Sequence, residues 1–250
     1  MSMTHPQIDS FRVGEHPLVS QLLKGMFHSR PPLPRYSVTW DIQKVIDYIK
    51  SLGNNELLSL KCLSQKLGIL LAITSLERVS EVVAHDLRFR RFLPEGVVFE
   101  LPDLVKKSRF QHGFKKSFHA SFPENPILCV VNCLREYEKR TKEFRTQIGS
   151  WESNRLLLSY IRPHKPITSD TLSRWVVEFL KNAGIDTNVF KAHSTRSASS
   201  SAAIRNNCSL KDILALADWT TDSTFKRFYY RPIYDKPIVQ NILSESSNSS

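Results

Sequence analysis

The chain has 250 residues, 41% of them hydrophobic and 24% charged, as expected for a soluble globular protein of one or two domains. Its 35 Lys and Arg residues against 24 Asp and Glu give a net charge of +11, which favours a polyanionic partner such as nucleic acid. A basic surface that serves only solubility would explain the charge equally well. The chain lacks a Gly-x-x-x-x-Gly-Lys motif, which excludes the common phosphate-binding loop.

The cysteines indicate a reducing compartment. Cys62, Cys129, Cys133 and Cys208 form no Cys-x-x-Cys pair, so they predict neither a disulfide framework nor a zinc site. No apolar run resembles a signal peptide, and the longest, Leu67 to Ile73, is too short to cross a bilayer. We therefore expect an intracellular protein with no membrane partner, metal or nucleotide cofactor.

In chain order, the first segment is an arm or linker over residues 1–36. It is rich in His, Pro and Ser, includes one amphipathic turn (Leu18 to Met26), and ends at the Pro31-Pro32-Leu33-Pro34 cluster. Residues 244–250 are polar and predict a disordered tail. Between these ends lies a folded region, 37–243, without internal repeats.

Apolar residues at helical spacing predict helices, and short β-like runs with polar interruptions predict strands. The predicted helices are Asp41 to Leu52, Ser59 to Thr74, Arg78 to Ala84, Pro126 to Thr141, Ser169 to Ala183, Ser194 to Asn206, Leu210 to Leu216 and Thr224 to Tyr230. The predicted strands are Leu87 to Leu93, Gly96 to Leu101 and Phe114 to Phe122. The fold class is therefore mainly α with a small antiparallel β-sheet.

A short C-terminal block carries side chains suited to phosphodiester chemistry. It holds Lys191-Ala192-His193-Ser194-Thr195-Arg196, then Ala217-Asp218-Trp219, then Phe228-Tyr229-Tyr230. A tyrosine can displace the 5′ oxygen and retain the phosphate as a 3′-phosphotyrosine. The charge that develops on two phosphate oxygens suits the paired donors of guanidinium groups. Arg196 and the distant Arg78 are our candidates for this clamp.

The remaining groups complete a reaction that needs no metal. His193 lies three residues before Arg196, so both can face one phosphate from an early helical turn, and imidazole can donate or accept a proton. Trp219 can donate its indole N–H to a phosphate oxygen. The departing 5′ oxygen needs a proton, for which Lys106 and Lys107 follow a predicted strand.

Each of these residues also has an ordinary structural explanation. A His-x-x-Arg pair occurs often by chance, and Arg78 can simply pair with Glu81 on its own helix. Trp219 and the tyrosines fit a protein core, and two lysines on a hairpin fit a solvated turn. The order of the residue types along the chain favours the catalytic interpretation.

These motifs resemble the tyrosine recombinase catalytic domain, which phage integrases and site-specific recombinases share. Thr74-Ser75-Leu76-Glu77-Arg78-Val79-Ser80-Glu81 is similar to the family's first arginine box, and His193-Ser194-Thr195-Arg196 and Asp218-Trp219 match later positions. The amino-acid sequence around His193, together with Ser223-Thr224-Phe225, most resembles the recombinases of eukaryotic DIRS/Ngaro-type retrotransposons, with Cryptons as relatives. The resemblance covers about His16 to Pro232 and implies a catalytic domain over 37–243, acting in the nucleus.

The resemblance implies a role for each matched residue. Arg78 and Arg196 clamp the phosphate, His193 is the acid or base, Trp219 is a donor, and Lys107, with Lys106 as alternate, protonates the leaving oxygen. The family's usual interval would place the nucleophile at Phe228, so this chain departs from the pattern. We expect Tyr229, one residue further, with Tyr230 as alternate.

A second departure lies at the N-terminus. Family members usually carry a helical DNA-clamping domain before the catalytic one, whereas here the arm of residues 1–36 would be its remnant. We expect a fragment, a truncated element copy, or a catalytic domain whose partner half lies elsewhere.

The predicted function is DNA strand breakage and rejoining through a 3′-phosphotyrosine, on double-stranded DNA and as a homo-oligomer. The alternatives are an inactive, domesticated DNA-binding relic and a topoisomerase IB-like activity. Basic residues outside the reaction centre are expected to bind the DNA backbone, or to form a solvated charged face. They are Arg88, Arg90, Arg91, Arg174 and Lys181.

Overall fold

The computed structural model describes residues 6–31, 33–101, 114–148, 154–219 and 222–233. The chain divides into two units, Met1–Arg35 and Tyr36–Ser250. The first unit contains one helix, α1 (Pro17–Ser29), with proline at its start. The ring of His16 caps this helix, because its Nδ1 accepts a hydrogen bond from the backbone N–H of Leu18.

The second unit is mainly helical. Its described helices are α2 (Ile42–Ser51), α3 (Leu60–Ser75), α4 (Val79–Val83), α5 (Val130–Ile148), α6 (Ser169–Asn182), α7 (Ser194–Arg205), α8 (Leu210–Leu216) and α9 (Asp222–Phe228). Its described strands are β1 (Arg90–Leu93), β2 (Gly96–Leu101) and β3 (Lys115–Ala120). Short 3₁₀ turns lie at Asn55–Leu57 and Leu87–Phe89.

The strands form one antiparallel sheet in the order β1-β2-β3. Side chains alternate between its faces, so Val97, Phe99 and Leu101 of β2 are buried together. On β3 the same alternation turns Ser117 and His119 inward, and both are buried. The inner face of β3 is therefore polar where a core-facing strand is normally apolar.

Helix α3 lies at the centre of this unit, where it packs against α5, α6, α7 and β3. A helix that is apolar on most sides is typically buried, and here nearly every residue from Leu63 to Ile73 is buried. The helix ends at Leu76, which adopts a left-handed backbone conformation with φ of 56°. This turn redirects the chain into Glu77, Arg78 and α4.

A second, smaller hydrophobic cluster packs against the C-terminal helices. Leu76 meets Ile213 and Ala217 of α8 and its following turn, together with Trp219 and Phe225, and Tyr229 packs against this group. The cluster connects the end of α3 to α8 and α9. It therefore brings the first arginine segment close to the C-terminal tyrosine.

The structure confirms the predicted fold class, mainly α with a small antiparallel sheet, and the limits of β2 and α8. The predicted strand from Leu87 begins only at Arg90, because the Asp86 carboxylate accepts the backbone N–H of Arg88 and stabilises a 3₁₀ turn. The predicted helix from Pro126 begins at Val130. Before it, the side chain of Asn125 accepts the backbone N–H of Leu128 in a turn.

The last predicted helix, Thr224 to Tyr230, is shifted towards the N-terminus and spans Asp222–Phe228. Tyr229 follows its end, although the Tyr229 backbone N–H still donates to the carbonyl of Phe225. The predicted tail, 244–250, lies outside the described residues. Within the described ranges, no helix combines the length and the apolarity needed to span a bilayer.

Candidate active site

Arg78 stands at the turn between α3 and α4. Its backbone N–H donates to Oε2 of Glu81 at 2.8 Å, and its Nη1 donates to Oε1 of the same carboxylate at 2.7 Å. The pairing of Arg78 with Glu81 is therefore present, as the ordinary interpretation of the sequence predicted. It still leaves the Arg78 side chain 22% exposed, and Arg78 lines the cleft described below.

Glu81 is buried and holds a second cation, because Nζ of Lys115 lies 3.1 Å from its Oε2. Burial alone would raise the pKa of Glu81. Hydrogen bonding from the Arg78 backbone and the charges of Lys115 and Arg78 outweigh burial and lower that pKa. One carboxylate thus orients both an arginine and a lysine. Lys115 belongs to none of the sequence motifs, because only the pairing of β3 with β2 brings it to Glu81.

His193 caps the start of α7 and is exposed. Its ring stacks on Tyr36, with ring centroids 5.2 Å apart and an angle of 20° between the planes. Ser194 fixes the start of the helix through two hydrogen bonds. Its Oγ accepts one from the indole N–H of Trp40 at 2.9 Å and donates one to the carbonyl of Lys191. These contacts fix the start of α7, where the imidazole of His193 is exposed.

Arg196 follows one turn later and is buried. Its Nη2 donates to the carbonyl of Ala217 at 2.7 Å, and its Nε has no hydrogen-bond acceptor among the described residues. Burial lowers the pKa of Arg196 and the Arg78 charge acts in the same direction, whereas Tyr229 and nearby carboxylates oppose them. An arginine remains charged under such shifts, so the site keeps a buried cation.

The Arg196 guanidinium packs against two aromatic rings. Its carbon is 4.9 Å from the ring centroid of Trp219 and 5.4 Å from that of Tyr229. The centroids of the Trp219 and Tyr229 rings lie 4.3 Å apart. Trp219 is buried, and its indole N–H finds no acceptor among the described residues. A buried donor without a partner is costly, and a ligand oxygen would remove that cost.

Tyr229 is held by the helix that carries the arginine. Oγ of Ser197 and Oγ of Ser201 donate to its backbone carbonyl at 2.7 and 3.0 Å. The next anchor is Arg231, which is buried and donates through Nε to the carbonyl of Tyr36 at 2.6 Å. The Tyr229 backbone is therefore fixed against α7. Tyr230, the alternate nucleophile, is 46% exposed and does not line the cleft described below.

A cleft of about 800 Å³ connects these groups. Four of the predicted catalytic residues line it: Arg78, His193, Arg196 and Tyr229. Trp219 does not line the cleft but contacts two of these residues from behind. Lys106 and Lys107 lie outside the described residues.

The predicted DNA-binding residues fall into two groups. Arg174 and Lys181 stand on the exposed side of α6 and line the cleft. The second group lies before and within β1. In it, Arg88 forms an ion pair with Asp86, Arg90 forms one with Glu138 of α5, and Arg91 is exposed. Arg88 and Arg90 thus have intramolecular partners, whereas the α6 pair adds positive charge directly to the cleft.

A buried cluster of possible metal ligands lies behind Arg78. It consists of Glu77, His85 and His119, each of which places a donor atom within 4.8 Å of the other two. Burial would raise the pKa of Glu77, but attraction to both histidines and to Lys115 lowers it to about 2. Burial and the charge of His85 lower the pKa of His119 to about 3. Sequence reasoning missed this cluster because β3 is needed to bring His119 to the other two.

Comparison with known proteins shows similarity at the level of structure. No family model matches the chain, and no curated protein does so. The XerA recombinase structure aligns with a TM-score of 0.52 at 15% identity, covering 86% of this chain and 69% of that one. XerH site-specific recombinase bound to difH substrate, in the pre-cleavage complex, aligns with a TM-score of 0.53 at 11% identity, covering 96% and 67%.

A second XerH structure, the post-cleavage complex with palindromic difH, aligns with a TM-score of 0.52 at 9% identity. The alignment covers 82% of this chain and 52% of that one, so the chain spans about half of that XerH chain. At these identities the likeness shows the fold alone. The described residues therefore have the fold of the tyrosine recombinase catalytic domain, as the resemblance in sequence implied.

Proposed function

We propose that this chain breaks and rejoins DNA strands through a covalent 3′-phosphotyrosine, as a site-specific recombinase or integrase. The observation that carries the proposal is the convergence of Arg78, His193, Arg196 and Tyr229 on one cleft. They come from three segments far apart in the chain. Ordinary structural roles for each residue would not require them to share a cleft.

In the proposed reaction, the phenolate of Tyr229 attacks the scissile phosphate and the bond to the 5′ oxygen breaks. His193, exposed at the start of α7, accepts the phenol proton or donates to the phosphate. Arg78 and Arg196 each donate to non-bridging oxygens as negative charge accumulates. Both guanidinium groups are already oriented, Arg78 by Glu81 and Arg196 by the carbonyl of Ala217.

Two further donors complete the proposal. The Trp219 indole N–H has no acceptor among the described residues, and we assign it as a donor to a phosphate oxygen. Lys107, or Lys106 in its place, would protonate the departing 5′ oxygen. A second strand's 5′ hydroxyl then attacks the phosphotyrosine, which releases Tyr229 and reseals the DNA.

The proposed partner is double-stranded DNA, bound by a homo-oligomer. Arg174 and Lys181 extend the positive charge of the cleft along α6, which suits the phosphate backbone. XerH, whose fold this chain shares, is a site-specific recombinase, and we extend that activity to this chain. A nuclear location and an origin in eukaryotic retrotransposons or Cryptons belong to the same proposal, and they depend on the resemblance in sequence.

The test needs no knowledge of the target sequence. The purified chain is incubated with supercoiled plasmid without added metal and quenched with detergent, and protein covalently joined to DNA is measured. We expect an adduct with the wild-type chain and none with Tyr229→Phe, which should still bind DNA. Absence of an adduct, with salt-sensitive binding intact, would contradict the proposal and favour the DNA-binding relic.

Strand exchange is tested separately from cleavage. A recombinase joins ends from two DNA molecules, which requires protomers to assemble on DNA. We expect joined products whose yield rises with protein concentration. Relaxation of the plasmid with no joined products at any protein concentration would identify the topoisomerase IB-like alternative.

A further inference from the structure

The buried cluster behind Arg78 joins three separate parts of the fold. Glu77 lies in the turn before α4, His85 follows α4, and His119 lies on the inner face of β3. All three side chains are buried, with relative exposures of 4%, 0% and 1%. Buried ionisable groups are normally paired, hydrogen-bonded or bound to a metal.

Most of the polar side-chain atoms of this cluster have no hydrogen bond among the described residues. These five buried atoms are both carboxylate oxygens of Glu77, both ring nitrogens of His85, and Nδ1 of His119. Oε2 of Glu77 and Nε2 of His85 lie 3.2 Å apart, which is an ion-pair distance when the imidazole is protonated, but their angles are outside hydrogen-bond geometry. One possible ligand atom from each of the three residues lies within 4.8 Å of the other two, so a single ion between them would give each residue a partner.

We propose that Glu77, His85 and His119 bind one Zn²⁺ ion. Two imidazoles and one carboxylate are a known donor set for zinc, with metal–ligand distances of about 2.0–2.2 Å. Two ligands of a tetrahedral ion at such distances lie about 3.4 Å apart. The 3.2 Å between Glu77 and His85 is close to this value.

The surroundings of His119 are those of a metal ligand. Its Nε2 lies 3.0 Å from Oγ of Ser117, and its Nδ1 has no hydrogen-bond partner among the described residues, so Nδ1 is the nitrogen that is free to bind an ion. A hydrogen bond to the far nitrogen is the usual way in which a ligating histidine is oriented. His85 is held by its ring stacking on Phe99, at a centroid distance of 4.5 Å and an angle of 21°.

The ion would position a residue of the cleft without taking part in the reaction. Glu77 directly precedes Arg78, so a metal bond to Glu77 fixes the peptide from which the Arg78 guanidinium projects. It would also tie α4 to β3, next to the ion pair between Glu81 and Lys115. The proposal concerns this metal site and does not depend on the strand-transfer reaction.

The first test measures zinc binding by the full-length chain. The protein is stripped with a chelator, exchanged into metal-free buffer and titrated with Zn²⁺ against a chromophoric chelator. We expect one equivalent bound by the wild-type chain, none by His119→Gln, and one by His164→Gln, whose half-buried ring lies outside the cluster. Absence of stoichiometric binding by the wild-type chain, or full binding by His119→Gln, would overturn the proposal.

The second test identifies the ligands in the wild-type chain and does not depend on how any variant folds. Because the chain has four free cysteines, Co²⁺ is substituted for Zn²⁺ and its absorption spectrum recorded. We expect the visible bands of a four-coordinate ion without the near-ultraviolet thiolate band. A thiolate band would assign the metal to cysteine and overturn the proposal, as would a melting temperature that Zn²⁺ leaves unchanged.

Discussion

The Arg196 guanidinium lies against the ring of Tyr229, with 5.4 Å between its carbon and the ring centroid. The two residues belong to different elements, α7 and the segment after α9, and Trp219 contacts both. This relationship places a buried cation beside a phenol in a cleft of about 800 Å³. In the proposed reaction, these two groups act on the same phosphate.

Arg196→Ala should reduce the rate of adduct formation by roughly 100-fold to 1,000-fold, as loss of one preorganised donor to a developing oxyanion does. The measurement is the initial rate of covalent complex formation on supercoiled plasmid. Lys142→Ala, which changes an exposed residue of α5, is the matched control and should react like the wild type. A rate within a few-fold of the wild type for Arg196→Ala would contradict a role in clamping phosphate.

Glu81→Gln should destabilise the fold, because it leaves Arg78 and Lys115 without their shared carboxylate. A hydrogen bond to a charged group contributes about 1.5–3 kcal/mol to the free energy of unfolding. The pKa of Glu81 is lower in the folded chain than in the unfolded chain, where it is about 4.3. The ionised carboxylate therefore stabilises the fold at pH values above the unfolded-state pKa, and this stabilisation is lost as the pH falls through the folded-state pKa.

The check on Glu81→Gln is a series of thermal melts from neutral to acid pH. We expect the wild type to melt at the higher temperature near pH 7, and the difference to narrow as the pH falls below about 4. A difference that does not change with pH would show that the carboxylate charge contributes nothing to stability.

The double variant that carries Ser197→Ala and Ser201→Ala should form the adduct more slowly while keeping its affinity for DNA. These hydroxyls hold the Tyr229 carbonyl at 2.7 and 3.0 Å, and each bond contributes about 1 kcal/mol to stability. Ser199→Ala is the matched control, because its buried Oγ has no partner among the described residues. If Ser199→Ala slows the reaction as much as the double variant, the hydroxyls do not act by positioning Tyr229.

Arg174→Ala and Lys181→Ala should each weaken DNA binding at low salt and reduce the slope of log K against log salt by about 1. Both residues line the cleft from the exposed side of α6. Fluorescence anisotropy at several salt concentrations measures the slope, with Lys142→Ala as the control. An unchanged slope in both variants would show that α6 does not contact phosphate.

Local sequence patterns were sufficient for much of the fold. Helical spacing identified α2, α3, α6 and α7 within a residue or two, and the limits of β2 and α8 were predicted without error. Two of the differences arose where one side chain competes with the regular structure. The Asp86 carboxylate stabilises a turn in place of the first residues of the predicted strand. The Asn125 side chain stabilises a turn in place of the first residues of the predicted helix before α5.

The site depended more on long-range contacts. The sequence named Arg78, His193, Arg196 and Tyr229, and these share a cleft, but their roles remain predictions. The sequence could not decide between Tyr229 and Tyr230 by spacing, whereas the fold turns Tyr229 into the cleft and exposes Tyr230. Lys115 and His119 were missed because only strand pairing carries the inner face of β3 to Glu81, Glu77 and His85.

The most direct test of the central claim is the chemical identity of the covalent link. The adduct is trimmed with nuclease and protease, and tandem mass spectrometry locates the nucleotide on the peptide, while exonucleases specific for each end report which DNA end is blocked. We predict a nucleotide on Tyr229, joined through a 3′ phosphate, with the 5′ end free. A nucleotide on Tyr230 or another residue, or a blocked 5′ end, would contradict the account.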